Sequence, residues 1–387
     1  MPFKKSLPTY RYSLQLPLNW ITVFLVGTDL FIMSPFLPLI GREINVPPES
    51  LTVLVSAFSL TYALACPIQG RVSERWGLRT VLVTGVVSLA LANFFTAMAS
   101  NTFQLTLSRV LAAISAASIS PMIYALTADQ AAPSCRVSRL AWVNSGLVIS
   151  LALGAPLGLL IGDVTNWRAV FIGLAVVLLL IAPIHAKVWP HNTGRITTGP
   201  IDTNERLRRA VPYLVCMLMW SVSVYATYTL LGTALDKEFF TSARETAIAM
   251  TCFGAGATSG VILGGKLADR LGARRWIQLC FLLMLISFSV FYIVYQRHLY
   301  IALITNLFVI ALVAYGFFPA IQACATQTFS TRRPTVLGLM SSALYVGMSL
   351  GASIGARVFE AHGMNAVLFT SLLAALIGWM TSVVLPR

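Results

Sequence analysis

Apolar segments of about the length of a membrane span recur along almost the whole of this 387-residue chain. A helix that crosses a bilayer needs ~20 consecutive, mostly apolar residues. Hydrophobic residues make up 57% of the sequence and charged residues only 10%, whereas soluble domains carry roughly 25% charged residues. A water-soluble fold of this size could not cover so much apolar surface. The sequence therefore predicts an all-α integral membrane protein.

The apolar segments number twelve, and most of the loops between them are short. The third and fourth are separated only by the turn Ser100-Asn101-Thr102, and the fifth and sixth only by residues 162–166. We predict membrane spans at about residues 17–41, 51–70, 79–99, 103–127, 138–163, 168–187, 210–233, 246–267, 276–296, 299–326, 335–359 and 364–385.

Basic residues are distributed unequally between the two sides of these predicted spans. Twenty of the 27 lysines and arginines fall in the N-terminus, the even-numbered loops and the C-terminus; six fall on the other side, and Arg109 lies within a span. Loops rich in Lys and Arg stay on the cytoplasmic side. We therefore expect a multi-pass membrane protein with an even number of spans and cytoplasmic termini.

A polar stretch rich in proline and glycine separates the first six predicted spans from the last six. It is the natural connection between two halves of the chain. The predicted organisation is an N-terminal six-helix bundle, a cytoplasmic linker and a C-terminal six-helix bundle, over residues 1–187, 188–209 and 210–387.

Two sequence motifs occur twice. The segment Gly70–Arg79 after the second span reappears as Gly265–Arg274 after the eighth, 195 residues later. The glycine-rich run Gly154–Gly158 in the fifth span corresponds to Gly351–Gly355 in the eleventh, 197 residues later. Two motifs at nearly equal offsets indicate duplication of a six-span unit. Such repeats place a substrate site at their interface, near the bilayer midplane.

The duplicated loop resembles the G-x-L-A-D-R-x-G-R-K signature of the major facilitator superfamily. It departs from that pattern because Glu74 stands for the Asp, and because Leu78 and Ala273 replace the first Arg in their copies. Arg109 is similar to the family's fourth-span arginine, although Ala112-Ala113 stands where Gln-Gly usually follows.

Two further segments resemble those of proton-driven exporters. The run from Gly154 to Gly162, followed by Trp167-Arg168, resembles the fifth-span motif of proton-coupled antiporters. Thr28-Asp29, followed by two prolines, is similar to the first span of twelve-span drug and sugar efflux permeases. The resemblance implies a major facilitator fold, with two pseudo-symmetric bundles of six helices that rock about a central site. It also implies a protein of a bacterial inner (plasma) membrane, with an architecture that can work as a monomer.

The resemblance also implies a gate on the cytoplasmic side. Glu74 and Asp269 would each face the N-terminus of a helix in the opposite half, where the helix macrodipole favours an anion. Neighbouring basic residues would complete salt bridges that hold the outward-open state. The alternative is a charge cluster that obeys only the positive-inside rule. The predicted gate residues are Gly70, Arg71, Glu74, Arg75, Gly77, Arg79, Gly265, Lys266, Asp269, Arg270, Gly272 and Arg274.

Asp29 is the one acidic residue near the middle of a predicted span. A carboxylate at the bilayer centre costs ~2.5–3.5 kcal/mol on insertion scales, so it is functional by default. Asp29 lies about 18 Å from the cytoplasmic end of its span, and Arg109 about 9 Å from the opposite end of its own. In a ~30 Å hydrocarbon core the two side chains can meet. We predict that they couple transport to protons; the alternatives are a structural ion pair and an arginine that caps carbonyl groups.

Aromatic and polar residues inside the spans mark a candidate substrate cavity. Amphipathic aromatic side chains with few charges suit a partly apolar, weakly polar or cationic compound. Each could equally pack inside a bundle or anchor the protein at the membrane interface. The predicted cavity residues are Met33, Phe36, Asn144, Trp220, Tyr225, Tyr228, Tyr315, Phe318, Gln322 and Tyr345.

The glycines of the fifth span have two interpretations. Small residues let helices approach closely, and a proline bends a helix. By resemblance, the close packing of this span against its neighbours would block ion leak and serve as a hinge for rocking. Ordinary tight packing explains these residues equally well. The residues of this antiporter-like motif are Gly154, Pro156, Gly158 and Gly162.

Other classes of function are disfavoured by the sequence. Gly260-x-x-x-x-Gly265-Lys266 nearly matches a P-loop, but Leu267 stands where Ser or Thr must hold magnesium, and the segment ends a span. The cysteines and histidines lack metal-ligand spacing. The net charge of +14 is spread between apolar segments, not over one face of a soluble fold as in nucleic-acid binders. We expect no enzymatic activity, no cofactor, no metal site and no nucleic acid.

The function predicted from these features is secondary active export of a small organic compound by proton antiport, through alternating access. The compound could be drug-like, a sugar or a metabolite. A proton-coupled symporter or a facilitator for uptake would share every fold-level feature, and a non-transporting membrane sensor is a further alternative. The expected partners are a small-molecule substrate, protons and the lipid bilayer.

Overall fold

Helices account for nearly all of the chain that the structure, a computed structural model, describes: residues 9–131, 136–189, 205–329 and 333–385. In lipid every backbone polar group must be bonded internally, and a helix achieves this within one segment. A 3-10 turn over Ser50–Thr52 precedes α3, and a π-helical turn over Ser150–Gly154 joins α6 to α7. The helices are α1 Thr9–Phe31, α2 Met33–Ile44, α3 Val53–Trp76, α4 Leu78–Met98, α5 Thr102–Gln130, α6 Arg136–Ile149, α7 Ala155–Val164, α8 Trp167–Val188, α9 Glu205–Glu238, α10 Ala243–Leu271, α11 Ala273–Gln296, α12 Tyr300–Thr328 and α13 Arg333–Ser382.

Eleven helical segments among the described residues are long and apolar enough to cross a membrane. The last of them, Val336–Ser382, has 47 residues, more than twice the ~20 that one crossing needs. Gly363 interrupts it with a φ angle of 73°, which glycine adopts without the steric penalty of a side chain. The interruption falls between the eleventh and twelfth predicted spans. The predicted all-α membrane fold is therefore confirmed, with this segment accounting for the last two crossings.

Two crossings are built from more than one helix. In the first, α1 ends at Phe31 and α2 begins at Met33. Pro35 and Pro38 supply no backbone N–H, so regular helical bonding cannot run through this region. In the fifth crossing the π-helical turn lies just before Pro156. Single π turns inside helices are frequent at functional sites.

The sequence repeat has a matching repeat in the structure. Gly77 and Gly272 both adopt positive φ angles, 84° and 87°, at the point where one helix ends and the next begins. Two residues further on, Arg79 donates to a backbone carbonyl at the C-terminal end of α8, and Arg274 to one just beyond α13. Each arginine ties the start of one helix to the end of another, where carbonyl groups lack helical partners.

We refer to α1–α8 as the N-terminal half and to α9–α13 as the C-terminal half. The halves meet where α2 packs on α9, α3 on α13, and the π-helical turn and α7 on α10. The end of the molecule that carries Gly77 and Gly272 is the one predicted to face the cytoplasm, and we call it the basic end. Most of the predicted linker, residues 190–204, lies outside the described residues.

Candidate functional site

Asp29 of α1 and Arg109 of α5 form a buried ion pair. Arg109 Nη1 donates to Asp29 Oδ1 at 2.9 Å, and Nη2 donates to Oδ2 at 3.1 Å. This bidentate geometry matches the planar guanidinium to the carboxylate. The side chain of Arg109 is 0% exposed and that of Asp29 is 1% exposed. Because desolvating charges costs several kcal/mol per ion unless they are well partnered, each charge depends on the other.

The helix break in the first crossing lies next to the carboxylate. Asp29 is in the last turn of α1, just before the interruption at Ile32. Its backbone carbonyl also accepts a bond from Arg109 Nη2 at 3.2 Å. The Nε of Arg109 is buried without a hydrogen-bond partner among the described residues. The bonds of this arginine are thus directed to Asp29, and not to the carbonyl groups of several helices.

The ring of Phe58 on α3 covers one side of the ion pair. The guanidinium carbon of Arg109 lies 4.7 Å from the ring centroid, a cation–π contact of the kind worth ~0.5–2 kcal/mol. Phe58 is 1% exposed and stacks on Tyr62, one turn along α3, with centroids 6.3 Å apart. A layer of aromatic carbon therefore separates the charges from Tyr62 and the other half.

Tyr62 meets Tyr345 of α13 across the boundary between the halves. Their ring centroids are 4.0 Å apart, the shortest ring contact among the described residues. The hydroxyl of Ser353 donates to that of Ser56 at 2.9 Å along the same pair of helices. Tyr345 is among the cavity residues predicted from the sequence, whereas Tyr62 and Phe58 are not. The available signal was a tyrosine at the middle of a predicted span, where its hydroxyl needs a partner.

Trp220 is the centre of an aromatic cluster in the C-terminal half. Its indole N–H donates to the carbonyl of Ala314 at 2.7 Å. Its ring centroid lies 5.5 Å from that of Tyr315 and 4.6 Å from that of Phe318, both edge-to-face. The hydroxyls of Tyr225 and Tyr315 are 3.4 Å apart. These four predicted cavity residues of α9 and α12 are therefore brought together.

Tyr228 extends this cluster to the boundary between the halves. Its ring packs at 5.0 Å from Phe253 of α10, a residue that the sequence analysis missed, and at 6.3 Å from Phe31 of α1. Its hydroxyl is buried and has no hydrogen-bond partner among the described residues. A buried hydroxyl left without a partner costs ~1–3 kcal/mol.

The other predicted cavity residues lie outside this cluster. Asn144 on α6 is exposed and accepts a bond from the Tyr124 hydroxyl at 3.0 Å. Gln322 on α12 is also exposed, and both amides lie towards the basic end. Met33 is buried beside the helix break. Phe36 packs on Phe171 of α8 at 5.9 Å, which places it inside the N-terminal half, away from the surface that faces the C-terminal half.

The predicted gate residues lie at the basic end, and most of the charged ones are exposed there. A side chain at Gly70 would meet no atom within 4 Å, and one at Gly265 only Pro319, at 3.9 Å. Glu74 is partly buried. Gly77, Gly272, Arg79 and Arg274 shape and anchor the helix starts described above. The exposed side chains are those of Arg71, Arg75, Lys266, Asp269 and Arg270.

Ion pairs join the two halves at the end opposite the basic end. Arg42 on α2 pairs with Asp236 on α9, and Lys237 pairs with Glu49 at 2.9 Å. Deeper in the boundary, the hydroxyl of Ser34 donates to two backbone carbonyls of α9, at 2.9 and 2.7 Å. The halves are thus held together at this end, while the gate residues at the basic end are exposed.

The antiporter-like motif forms a packing seam between the first and fifth crossings. A Cβ at Gly154 would lie 2.1 Å from Thr28 Oγ1, and one at Gly158 would lie 2.0 Å from Ile32 Cδ1. Real Cβ atoms essentially never come so close. With a side chain at either position, Thr28, Ile32 or the helices themselves would have to shift, so the glycines permit this close packing.

The same seam continues beyond these two glycines and recurs in the other half. A Cβ at Gly162 would lie 2.8 Å from the ring of Phe36. Pro156 is the second residue of α7 and follows the π-helical turn closely. In the C-terminal half, a Cβ at Gly351 would lie 2.9 Å from a backbone oxygen of α9. Close packing at equivalent positions of both halves accounts for the glycines without an antiport-specific role.

A buried histidine ties α1 to α8 in the N-terminal half. His185 Nε2 lies 2.8 Å from Thr22 Oγ1, and the Trp189 indole donates to His185 Nδ1 at 3.2 Å. Because an indole nitrogen only donates, Nδ1 accepts and Nε2 carries the proton. The Thr22 hydroxyl donates in turn to a carbonyl of its own helix at 2.7 Å. Among the described residues, no group of three metal-ligating side chains includes it or any other histidine.

Helical crossings in two related halves, with a charge pair inside one and an aromatic surface between them, define a polytopic membrane transporter. The family model described as Major Facilitator Superfamily matches residues 20–233 and 213–387. The chain belongs to this superfamily, and it is a transporter rather than an enzyme.

Relatives of known sequence support this assignment. The chain is 27% identical to the uncharacterized MFS-type transporter YceJ of Bacillus subtilis (strain 168), over 90% of this chain and 91% of that protein. It is 24% identical to Multidrug resistance protein 1 of the same organism, over 88% and 90%. A crystal structure of a bacterial homolog to the human lysosomal transporter Spinster, inward-facing and unoccupied, has a TM-score of 0.77, 15% identity and 98% coverage of both chains. The last comparison shows the shared fold.

Proposed function

We propose that this transporter exports a small organic compound in exchange for protons. The observation that carries the proposal is the ion pair of Asp29 and Arg109, which is closed to solvent and bidentate. A proton on Asp29 would remove the counter-charge of a buried arginine, which is strongly unfavourable in the present arrangement. Protonation of Asp29 and rearrangement of the surrounding helices are therefore linked.

The proposed cycle starts from the arrangement described here, with the basic end in the cytoplasm and the compound entering from there. Asp29 is then ionised and paired. After the halves rock and the opposite end opens, Asp29 takes a proton from outside and the compound leaves. The protonated carrier then returns, and binding of the next compound restores the ion pair and releases the proton into the cytoplasm. The membrane potential supplies ~2.3 kcal/mol per charge per 100 mV, in addition to any pH gradient. A relative named Multidrug resistance protein 1 supports the outward direction.

Proton movement in everted membrane vesicles tests this proposal. A panel of compounds is added to energised vesicles that contain wild type, Asp29→Asn or Asp129→Asn. Asp129, an exposed acid near the end of the same helix as Arg109, is the matched control. We expect an exported compound to collapse the proton gradient in wild type and in the control, but not in Asp29→Asn. Transport of compounds by all three proteins without proton flux would contradict antiport and favour a facilitator.

A further inference from the structure

A row of polar side chains runs along one face of α1, from the basic end towards the ion pair. Gln15, Asn19, Thr22 and Asp29 follow one another at intervals of four, three and seven residues, so they lie on the same side of the helix. All four are buried. Polar side chains inside a membrane bundle are expensive and commonly line the pathways of ions or protons.

The polar partners of this row near the basic end come from α5. Asn19 Nδ2 donates to Thr127 Oγ1 at 3.0 Å. Gln130 lies three residues after Thr127, on the same side of α5. The first and fourth crossings run in opposite directions, so the step from Thr127 to Gln130 leads towards the basic end, as does the step from Asn19 to Gln15. Gln15 and Gln130 therefore lie at a similar level on facing sides of the two helices.

Three atoms of this group fit one water molecule. Gln15 Nε2, Asn19 Oδ1 and Gln130 Oε1 are buried and have no hydrogen-bond partner among the described residues, and Gln15 and Asn19 are only 4% and 1% exposed. The first atom is a donor and the other two are acceptors. A water molecule that accepts one hydrogen and donates two satisfies all three. Buried waters make about three such bonds to otherwise unpaired polar groups.

The carboxylate of Asp29 is closed off from the surface between the halves. The side chains of Asp29 and Arg109 are 1% and 0% exposed, and Phe58 covers Arg109 on the side of Tyr62. A proton that leaves Asp29 therefore meets aromatic carbon in the direction of the other half. The row on α1 leads from the same residue to the basic end without crossing that surface.

The ring of His185 borders the row beside Thr22 and is not free to take a proton. Nε2 donates to Thr22 Oγ1 at 2.8 Å, and Nδ1 accepts from the Trp189 indole at 3.2 Å. Of the basic side chains at this end of α8, Arg79 donates to a backbone carbonyl and Lys187 is exposed. A proton that passes along the row is therefore carried by water and not by the ring.

Val26 interrupts the row between Thr22 and Asp29. The two polar residues are separated by a rise of ~10 Å along the helix, and Val26 is buried on the same face. Hydrogen-bonded oxygens lie ~2.7–2.8 Å apart, so several waters would be needed to cross this distance. The row is thus closed in the present arrangement, in which the cycle proposed above has Asp29 ionised. A closed row keeps protons from returning to Asp29 from the basic end.

We propose that this row is the exit by which the proton reaches the cytoplasm, inside the N-terminal half and apart from the path of the compound. When the next compound binds, Val26 moves aside and the Asp29 carboxyl group gives its proton to water. Asp29 becomes the carboxylate paired with Arg109, and the water held by Gln15, Asn19 and Gln130 passes the proton to the basic end. No other bond changes. The proposal rests on the proposed function, because it takes Asp29 to carry the proton.

Two modes of transport in liposomes test this exit, with a compound that the vesicle panel identifies. Net transport driven by a pH gradient needs a proton to leave Asp29 in every cycle, whereas exchange of labelled for unlabelled compound needs none. We expect Asn19→Leu to slow net transport at least tenfold and to leave exchange at the wild-type rate. Asn306→Leu is the matched control, at a buried asparagine of the C-terminal half whose Oδ1 also lacks a partner among the described residues. It should change neither rate.

Two further variants separate the proton exit from a structural role. In Asn19→Ser the side chain is too short to reach Thr127 but leaves room for another water, so net transport should recover to within severalfold of wild type. His185→Gln can still donate to Thr22 and should also keep net transport within severalfold. Equal slowing of net transport and exchange by Asn19→Leu would overturn the proposal. So would wild-type net transport in Asn19→Leu, or a tenfold loss in His185→Gln alone.

A cryo-EM map of the protein in lipid nanodiscs, at a resolution that shows ordered water, tests the water site without any compound. We expect density within hydrogen-bonding distance of Gln15, Asn19 and Gln130 in wild type, and none there in Asn19→Leu. Its absence from wild type would overturn the proposal. Proton flux in wild type that Asn19→Leu leaves unchanged would contradict the exit alone. Compound movement without proton flux in wild type would instead refute the proposed function, and the exit with it.

Discussion

The two halves of this transporter repeat the same backbone devices but enclose different side chains. Both use a glycine with positive φ and an arginine bonded to a carbonyl at the basic end. The N-terminal half encloses the Asp29–Arg109 pair and the neutral histidine His185. The C-terminal half encloses the rings around Trp220, and its buried polar contacts include hydroxyl bonds such as Thr227 to Ser371 at 2.9 Å.

From this difference we propose a division of labour between the halves. The repeat supplies the architecture that two rocking halves require, and function resides in the side chains placed upon it. On this account the N-terminal half handles the proton and the C-terminal half contributes most of the surface for the compound. The aromatic contacts from Phe58 through Tyr62 to Tyr345 connect the two.

The largest effect is expected from breaking the ion pair on one side. Asp29→Ala leaves Arg109 buried without its counter-charge, which costs ~3–5 kcal/mol. We expect a clear fall in the thermal-unfolding midpoint in detergent. The double variant Asp29→Ala with Arg109→Leu should recover most of the loss, because no unpaired charge remains. A double variant as unstable as the single one would contradict the pairing argument.

Two glycine substitutions compare a contact with backbone in the C-terminal half and a contact with a side chain in the N-terminal half. A Cβ at Gly260 in the C-terminal half would lie 2.2 Å from the backbone oxygen of Leu312, whereas one at Gly158 would meet the terminal methyl of Ile32. A side-chain end can turn away and a backbone cannot. We expect Gly260→Ala to lower the unfolding midpoint more than Gly158→Ala, within the ~1–3 kcal/mol of overpacking. Gly338→Ala, which meets nothing within 4 Å, is the control, and equal losses at both sites would refute the difference.

Phe58→Leu tests the separation between the charges and the substrate surface. It removes a cation–π contact of ~0.5–2 kcal/mol while keeping an apolar side chain. We expect a severalfold rise in proton leak in vesicles without any compound, measured as decay of an imposed pH gradient. Phe288→Leu, a buried phenylalanine of the C-terminal half, should leave the leak at its wild-type rate. An equal proton leak in both variants would show that Phe58 does not separate the ion pair from the surface between the halves.

The smallest effect is expected at the end opposite the basic end. Partly exposed ion pairs such as Arg42–Asp236 contribute ~0–1 kcal/mol each. Arg42→Gln with Lys237→Gln should raise the population in which this end is open, seen as longer distances between spin labels on α2 and α9. Arg297→Gln, at an exposed arginine just after the end of α11, serves as the control. Unchanged distances would mean that Ser34 and the apolar contacts hold this end closed.

The depth of a residue within its membrane span could be predicted from the sequence. The lengths of the spans placed Asp29 and Arg109 within reach of each other, and the two side chains do meet. The break between the last two crossings falls at Gly363 as the predicted boundaries imply. Both follow from counting residues along helices of fixed rise. The roles assigned to these residues remain predictions.

Helix rotation and long-range partners could not be read in the same way. Phe36 was expected to line the cavity, but its ring packs on Phe171 of α8 inside the N-terminal half. Tyr62 gains its importance from Tyr345, which lies 283 residues away on a helix of the other half. Arg79 and Arg274 were assigned to a gate from their motif, but the nearby helix ends that hold them are set by packing.

Proton release on substrate binding tests the division of labour most directly. The purified protein is mixed with an exported compound in weakly buffered detergent solution that contains a pH indicator, and binding is measured in parallel. The account predicts that wild type binds the compound and releases protons, that Asp29→Asn binds it without releasing protons, and that Tyr345→Ala loses binding. Equal proton release from Asp29→Asn and wild type would contradict the assignment of the proton to the N-terminal half.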